Sequence, residues 1–218
     1  MGSDKVEEAY KTLKQRYESD KSVEVLWRLA RASIEVGDMQ KSRQKRKDFV
    51  QEARTYALGA VAQNPNDYNA VRWAAITTGY NSEFLAAKEK IVECQKSLDY
   101  TDKGLQMKPN DHVLLYVKGR AMFLFCGLNS IEKRAMTVVF KQSGNEPPPS
   151  VDKALSIFLQ AYNIQPKYVP TLLYIGYCLI SLGDKKTAQK YLREATNLDV
   201  HGCDLAVQKE CAELLKQC

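Results

Sequence analysis

Ala154-Leu155-Ser156-Ile157-Phe158-Leu159-Gln160-Ala161, followed by Pro166 and then by Gly176, is the stretch whose spacing decides the fold. Ala53, Ala57, Ala60 and Pro65 stand at the same separations as Ala154, Phe158, Ala161 and Pro166. Ala188, Leu192, Ala195 and Val200 echo them, and Ser97, Thr101, Gly104 and Pro109 do so more weakly. Ten residues beyond each of the three prolines stands a small residue: Ala75, Gly119 and Gly176. Small side chains at fixed helical intervals let neighbouring helix backbones approach, so two such registers locked together predict stacked helix pairs. No period-two run of β-branched residues appears, and no strand is expected.

Working outward, Val6, Tyr10, Leu13 and Tyr17 give an opening helix over 4–18. Ser22 reads as the cap of a helix over 23–36 that ends at Gly37, and a longer helix follows over 39–63 until Asn64-Pro65 stops it. Helices are expected over 67–80, over 82–107 with a break near Ala87, over 111–126 and over 130–141. After Gly144 and the stiff Pro147-Pro148-Pro149 run come helices over 150–164, 169–181 and 185–197, the last two joined at Gly183-Asp184. The reading is all-α: a single domain over 1–218, with an N-terminal helix (4–21), repeat-like units at 22–65, 66–109, 110–166 and 167–200, and a capping helix at 203–218.

Composition narrows the class. With 218 residues, 44% hydrophobic and 27% charged, the chain can bury a sizeable core. A formal net charge of +6 favours acidic partners without requiring nucleic acid. The six cysteines (94, 126, 178, 203, 211 and 218) form no C-x-x-C pair and have no His at ligand spacing, so no metal is expected. Cys94, Cys126 and Cys178 fall in apolar helical segments, where reduced, buried thiols usually sit. No secretory signal is visible, which suits a reducing, cytoplasmic setting. The uncharged run 169–183 is shorter than the roughly 20 residues of a membrane span and contains Pro170, so no transmembrane segment is expected. Neither His112 nor His201 has a nucleophile or paired carboxylate at telling spacing, and no glycine-rich phosphate loop occurs. Neither catalysis nor a cofactor is expected.

The helix pairs resemble tetratricopeptide repeats, whose pattern is W-x2-L-G-x2-Y, then A-x3-F, then a closing Pro. Leu172, Ile175, Gly176, Leu179, Ala188, Leu192 and Ala195 meet it without insertion. Leu115, Gly119, Met122, Ala154, Phe158, Ala161 and Pro166 meet it around a long insertion, and Leu26, Leu29, Ala30, Ala53, Ala57, Ala60 and Pro65 meet it with a lengthened second helix. Ser97, Thr101 and Gly104 make 71–109 the weakest match, being poor core residues. Almost the whole chain also resembles the regulator of microtubule dynamics family. Leu26-Trp27-Arg28-Leu29-Ala30-Arg31-Ala32, Gly79-Tyr80 with Ser82-Glu83-Phe84, Tyr116-Val117-Lys118-Gly119-Arg120 and Ile131-Glu132-Lys133 carry that resemblance in order. It implies association with microtubules and the mitotic spindle. Membrane-anchored relatives are linked instead to organelle contacts and phospholipid binding, and this chain is read as the anchorless type.

Two surfaces follow. In tetratricopeptide arrays the first helix of each pair lines a groove, which here would hold Trp27, Arg31, Arg72, Ile76, Tyr80, Tyr116, Arg120, Phe123 and Tyr177, with Ile180 beside them. Guanidinium forks take carboxylates or phosphates bidentately while aromatic rings hold an apolar stem, so an acidic peptide fits and so does a phospholipid. The other reading is that these residues are merely packed. Lys41, Arg43, Lys45, Arg46 and Lys47 place five positive charges within seven residues, suited to an anionic surface such as acidic tubulin tails or to nothing beyond a solvated helical face. No aromatic stacking platform accompanies that run, and nucleic acid is not expected. A lipid carrier and a generic acidic-peptide adaptor stay open beside the microtubule reading.

Overall fold

The computed structural model describes residues 3–128, 150–202 and 204–218, and all the regular structure among them is helical. The helix expected over 130–141 and the loop at 144–149 lie outside the described residues. The chain forms two compact units, 1–107 and 108–218, taken in turn.

The first unit contains α1 (Ser3–Ser19), α2 (Val23–Asp38), α3 (Arg43–Gln63), α4 (Tyr68–Asn81), a 3-10 turn (Ser82–Phe84) and α5 (Ala87–Met107). α2 pairs with α3 and α4 with α5, while α1 lies on α2. Ala53, Ala57 and Ala60 are each 0% exposed, which lets α3 lie against Leu29 and Ala30 of α2, themselves fully buried. Close packing continues at Gly37, where an added Cβ would stand 3.0 Å from Phe49 Cβ. α2 runs one residue past Gly37, to Asp38. Ser22 precedes α2 but makes no side-chain cap bond; instead its N–H donates to Asp20 Oδ1 at 3.0 Å. α3 starts at Arg43, four residues later than expected, because the Ser42 side chain accepts from the Lys45 N–H and ends the preceding turn there.

The weakest repeat proves to be packed as well as the others. Ser97 and Thr101 are both 0% exposed. Ser97 Oγ donates to the Ala75 carbonyl across to α4 (2.8 Å), and Thr101 Oγ1 donates to the Ser97 carbonyl (2.7 Å). Hydroxyls so bonded can occupy small-residue positions without an unmet polar group. The break expected near Ala87 is present as the 3-10 turn followed by extended Leu85.

The second unit contains α6 (His112–Cys126), α7 (Val151–Ile164), α8 (Val169–Ser181), α9 (Lys185–Thr196) and α10 (Asp204–Leu215). Side-chain caps open three of them: Asp111 accepts from Val113 and Leu114, Ser150 from Lys153, and Asp184 from Thr187. Gly183 adopts φ 85° between α8 and α9, a left-handed turn that favours glycine. α6 packs on α7 at Gly119, whose place a Cβ would fill only 2.8 Å from the Phe158 ring. α8 packs on α9 at Gly176, where the same test meets Leu192 at 2.7 Å. α10 then covers the end of the stack, burying Cys211 and Leu214 against Leu173 and Leu192. Gln208 Nε2 fixes it by donating to the carbonyls of Ala195 (3.0 Å) and Leu198 (2.7 Å).

Burial pushes the thiols of Cys178 and Cys211 up to about 12, with Cys126 adding to the shift at Cys178. Thiolate, the reactive form, is then scarce at neutral pH. Both should resist alkylation in the native chain and label on unfolding, read by peptide mass spectrometry. Rapid native labelling of either would contradict the packing described.

Candidate functional site

In the first unit the cationic run divides. Lys41, Arg43 and Lys45 are exposed and Lys47 is half-buried, but Arg46 turns inward. Its Nε donates to Asp38 Oδ1 (3.2 Å), its Nη1 donates to Glu83 Oε2 (3.0 Å), and its guanidinium lies over the rings of Tyr80 (5.6 Å) and Phe84 (5.7 Å). Burial lifts the Asp38 carboxyl above its ordinary range, and Arg46 opposes that shift. Five equivalent surface charges are therefore not what the fold presents: Arg46 ties the end of α2 to the turn after α4. Of the remaining cations Lys41 precedes the cap, Arg43 lies over the Phe84 ring at 5.8 Å, and Lys45 and Lys47 follow in the first two turns of α3, which has no acidic residue in its first turn. That end already carries the positive pole of the helix, so a cation in the first turn, Arg43 or Lys45, costs roughly 0.3–1 kcal/mol instead of stabilising.

The groove residues of this unit are also partly committed. Arg31 is exposed and donates to Glu35 (2.7 Å). Trp27 is half-buried under Arg28, whose guanidinium lies 4.7 Å from the ring. Arg72 lies over Trp73 at 5.5 Å, and Tyr80 is covered by Arg46. Ile76 is 5% exposed, so it is a core residue and not part of a binding wall. Helical periodicity could not separate it from the surface, because a helix lying between two neighbours buries more than one stripe.

In the second unit the expected aromatic residues do come together. Tyr116 and Phe123 each meet the ring of Tyr174 edge-on, at 5.7 and 5.8 Å, and Phe123 stacks on Tyr177 at 6.1 Å. Arg120 Nε donates to the Tyr174 hydroxyl at 3.0 Å. The half-buried face of α6 and α8 is therefore an aromatic ladder with one guanidinium. Tyr174 is its hub and was missed in the sequence, although its place one turn before Tyr177 was a usable signal. The Tyr177 hydroxyl donates to Glu210 Oε1 of α10 at 2.5 Å, so a carboxylate does meet this face. Burial first, and then Glu210, pushes the Tyr177 hydroxyl far above its ordinary range.

Two polar networks escaped the sequence reading because their members lie far apart along the chain. Glu52 accepts from Lys14 (2.6 Å) and from the Tyr10 hydroxyl (2.7 Å), fastening α1 to α3. Burial alone would raise the Glu52 carboxyl, yet these donors outweigh it and hold the group below its usual range. Arg54 reaches both oxygens of Glu93, which is 5% exposed and also accepts from Asn81 (2.8 Å). Among the described residues no cluster of three metal-ligating side chains occurs, and no helix is long and apolar enough to cross a membrane.

Comparison with known proteins matches the sequence to one family. A sequence model described as "Regulator of microtubule dynamics protein 1-3" matches residues 1–218. Regulator of microtubule dynamics protein 1 of Caenorhabditis elegans is 29% identical over 94% of this chain and 89% of its own length. The protein of that name from Pongo abelii is 30% identical over 98% and 68%, and regulator of microtubule dynamics protein 2 of Rattus norvegicus is 31% identical over 82% and 43%. Among solved structures, MamA (41-end) from Desulfovibrio magneticus RS-1 aligns with a TM-score of 0.53 at 15% identity, over 94% of this chain and 86% of that one. TTC0263, a tetratricopeptide repeat protein of Thermus thermophilus, aligns with a TM-score of 0.51 at 18% identity, over 86% and 80%. At these identities the structural likeness speaks for the fold alone: a tetratricopeptide-like array.

Proposed function

Because this chain belongs to the regulator of microtubule dynamics family, we propose that it works as a non-enzymatic binding module on microtubules, those of the spindle included, without a cofactor. The contact is electrostatic: Lys41, Arg43, Lys45 and Lys47 at the start of α3 meet acidic segments of the filament surface, tubulin tails among them. One observation carries this reading. Arg43 and Lys45 stand in the first turn of α3, at the positive end of the helix dipole, where a cation is unfavourable and no acid in that turn offsets them. A cluster that costs stability is better explained by a partner of opposite charge than by packing. The aromatic ladder around Arg120 in the second unit is a second surface for the same class of acidic ligand.

The test is co-sedimentation with microtubules. Replacing Lys41, Lys45 and Lys47 together by Glu, with Arg46 kept because it holds the fold, should weaken binding by roughly tenfold or more at low ionic strength. Helicity should stay unchanged, and the unaltered chain should lose binding as salt rises. Equal pelleting of the two proteins at low salt would remove the α3 cations from the contact.

A further inference from the structure

Among the described residues, exposed serines stand just before a helix at Ser22, Ser42 and Ser150. Their electrostatic surroundings differ. The Ser22 N–H donates to Asp20 Oδ1 at 3.0 Å, and Glu24 follows in the first turn of α2. Ser150 is followed by Asp152 in the first turn of α7. Ser42 opens a turn with no acid in it, and it lies between Lys41 and Arg43. Its Oγ accepts from the Lys45 N–H at 3.4 Å, longer than an ordinary N–H···O bond. Lys41 and Lys45 are exposed, while the Arg43 guanidinium lies by the Phe84 ring at 5.8 Å. The acids on either side are engaged: Asp38 accepts from Arg46 at 3.2 Å, and Asp48 accepts from Gln44 at 2.8 Å.

We propose that Ser42 is a phosphorylation site, and that phosphate there lowers the affinity of the α3 cations for an acidic filament surface. The phosphoryl donor is ATP, brought by a protein kinase whose acidic subsites read the basic flanks. A bond forms from Ser42 Oγ to the γ-phosphorus, and the bond from that phosphorus to the β–γ bridging oxygen breaks. ADP leaves, and the hydroxyl proton passes to the kinase's base. Access follows from local stability. A long cap bond and cations at the positive helix end let the first turn of α3 fray, so segment 40–45 can extend into a kinase cleft. In the product the balance reverses. A phosphate of about −1.5 to −2 charge accepts from the open N–H groups of that turn and pairs with Lys41 and Lys45. It then cancels much of the positive charge that Lys41, Arg43, Lys45 and Lys47 offer to a partner. The inference rests on the reading that these cations take acidic partners, and it adds a control on that contact.

The experiment compares three forms of the full chain: unmodified, with phosphoserine encoded at position 42, and with phosphoserine encoded at position 22. Position 22 lies at the far end of α2, whose 16 residues span about 24 Å. That exceeds the roughly 10 Å over which charges act at about 0.1 M salt. In co-sedimentation with microtubules at that salt, phosphate at 42 should weaken binding about threefold or more, and phosphate at 22 should not. Phosphate at 42 should also raise the melting temperature by about two to four degrees, through repair of the first turn. Separately, the unmodified chain is incubated with ATP and an animal-cell extract containing phosphatase inhibitors, and peptide mass spectrometry should find phosphate on Ser42. Its absence from Ser42 would overturn the modification site. Equal pelleting of the unmodified and 42-phosphorylated chains, or equal weakening by phosphate at 22, would overturn the control. If the Lys41, Lys45 and Lys47 to Glu variant still pelleted less, the α3 contact would survive that loss. Equal pelleting of every form would end both.

Discussion

Gly119→Val should destabilise the second unit by about 3 kcal/mol, the upper part of the range for overpacking a filled core. Even the first added carbon would stand 2.8 Å from the Phe158 ring. That ring cannot move aside cheaply, because Phe158 is 0% exposed and lies within packing distance of Tyr116 and Tyr174. Thermal melting should fall by about ten degrees or more for a unit of this size. Gly127→Ala is the control: there the new Cβ would meet its nearest neighbour, the Leu124 carbonyl, at an ordinary 3.6 Å. Equal melting temperatures for the two variants would mean that α6 and α7 are not as close as described.

The second large effect is expected at Arg54. Glu93 is 5% exposed, and its carboxylate is answered by both arms of the Arg54 guanidinium and by the Asn81 amide. Arg54→Ala leaves that charge buried with one neutral donor, and should cost about 3 kcal/mol in urea unfolding of the first unit. The pair need not add net stability over apolar packing, since desolvating two ions offsets much of their attraction. Arg54→Met combined with Glu93→Met should therefore recover most of the loss. If the double variant is as unstable as Arg54→Ala, the destabilisation does not come from an unpaired charge.

The repeat was legible because its signal is local and steric. Small residues at Ala53, Ala57 and Ala60, and again at Ala154 and Ala161, are required by helix contact itself, and every one is fully buried. The spacing also found Gly119 and Gly176, and the structure supplies the reason in the side chains of Phe158 and Leu192. Ser97 and Thr101 looked weak because a sequence displays a hydroxyl but not the carbonyl that receives its proton. The surfaces were less legible. Charge count could not separate Arg46 from Lys45, one residue away, since Asp38 across the preceding turn and Glu83, far along the chain, decide which of them turns inward. Periodicity grouped Ile76 with Tyr80 although one is buried and the other is not.

Helical class, the pairing of the helices and the positions of closest approach were thus set by residue order alone, because side-chain volume at fixed helical intervals acts between neighbours in the chain. Which cations face solvent and which tyrosine joins the aromatic ladder were decided only in the folded molecule. Those properties depend on hydrogen bonds and ion pairs between residues such as Tyr10 and Glu52, or Arg120 and Tyr174, that the linear order holds apart and only tertiary packing brings into reach.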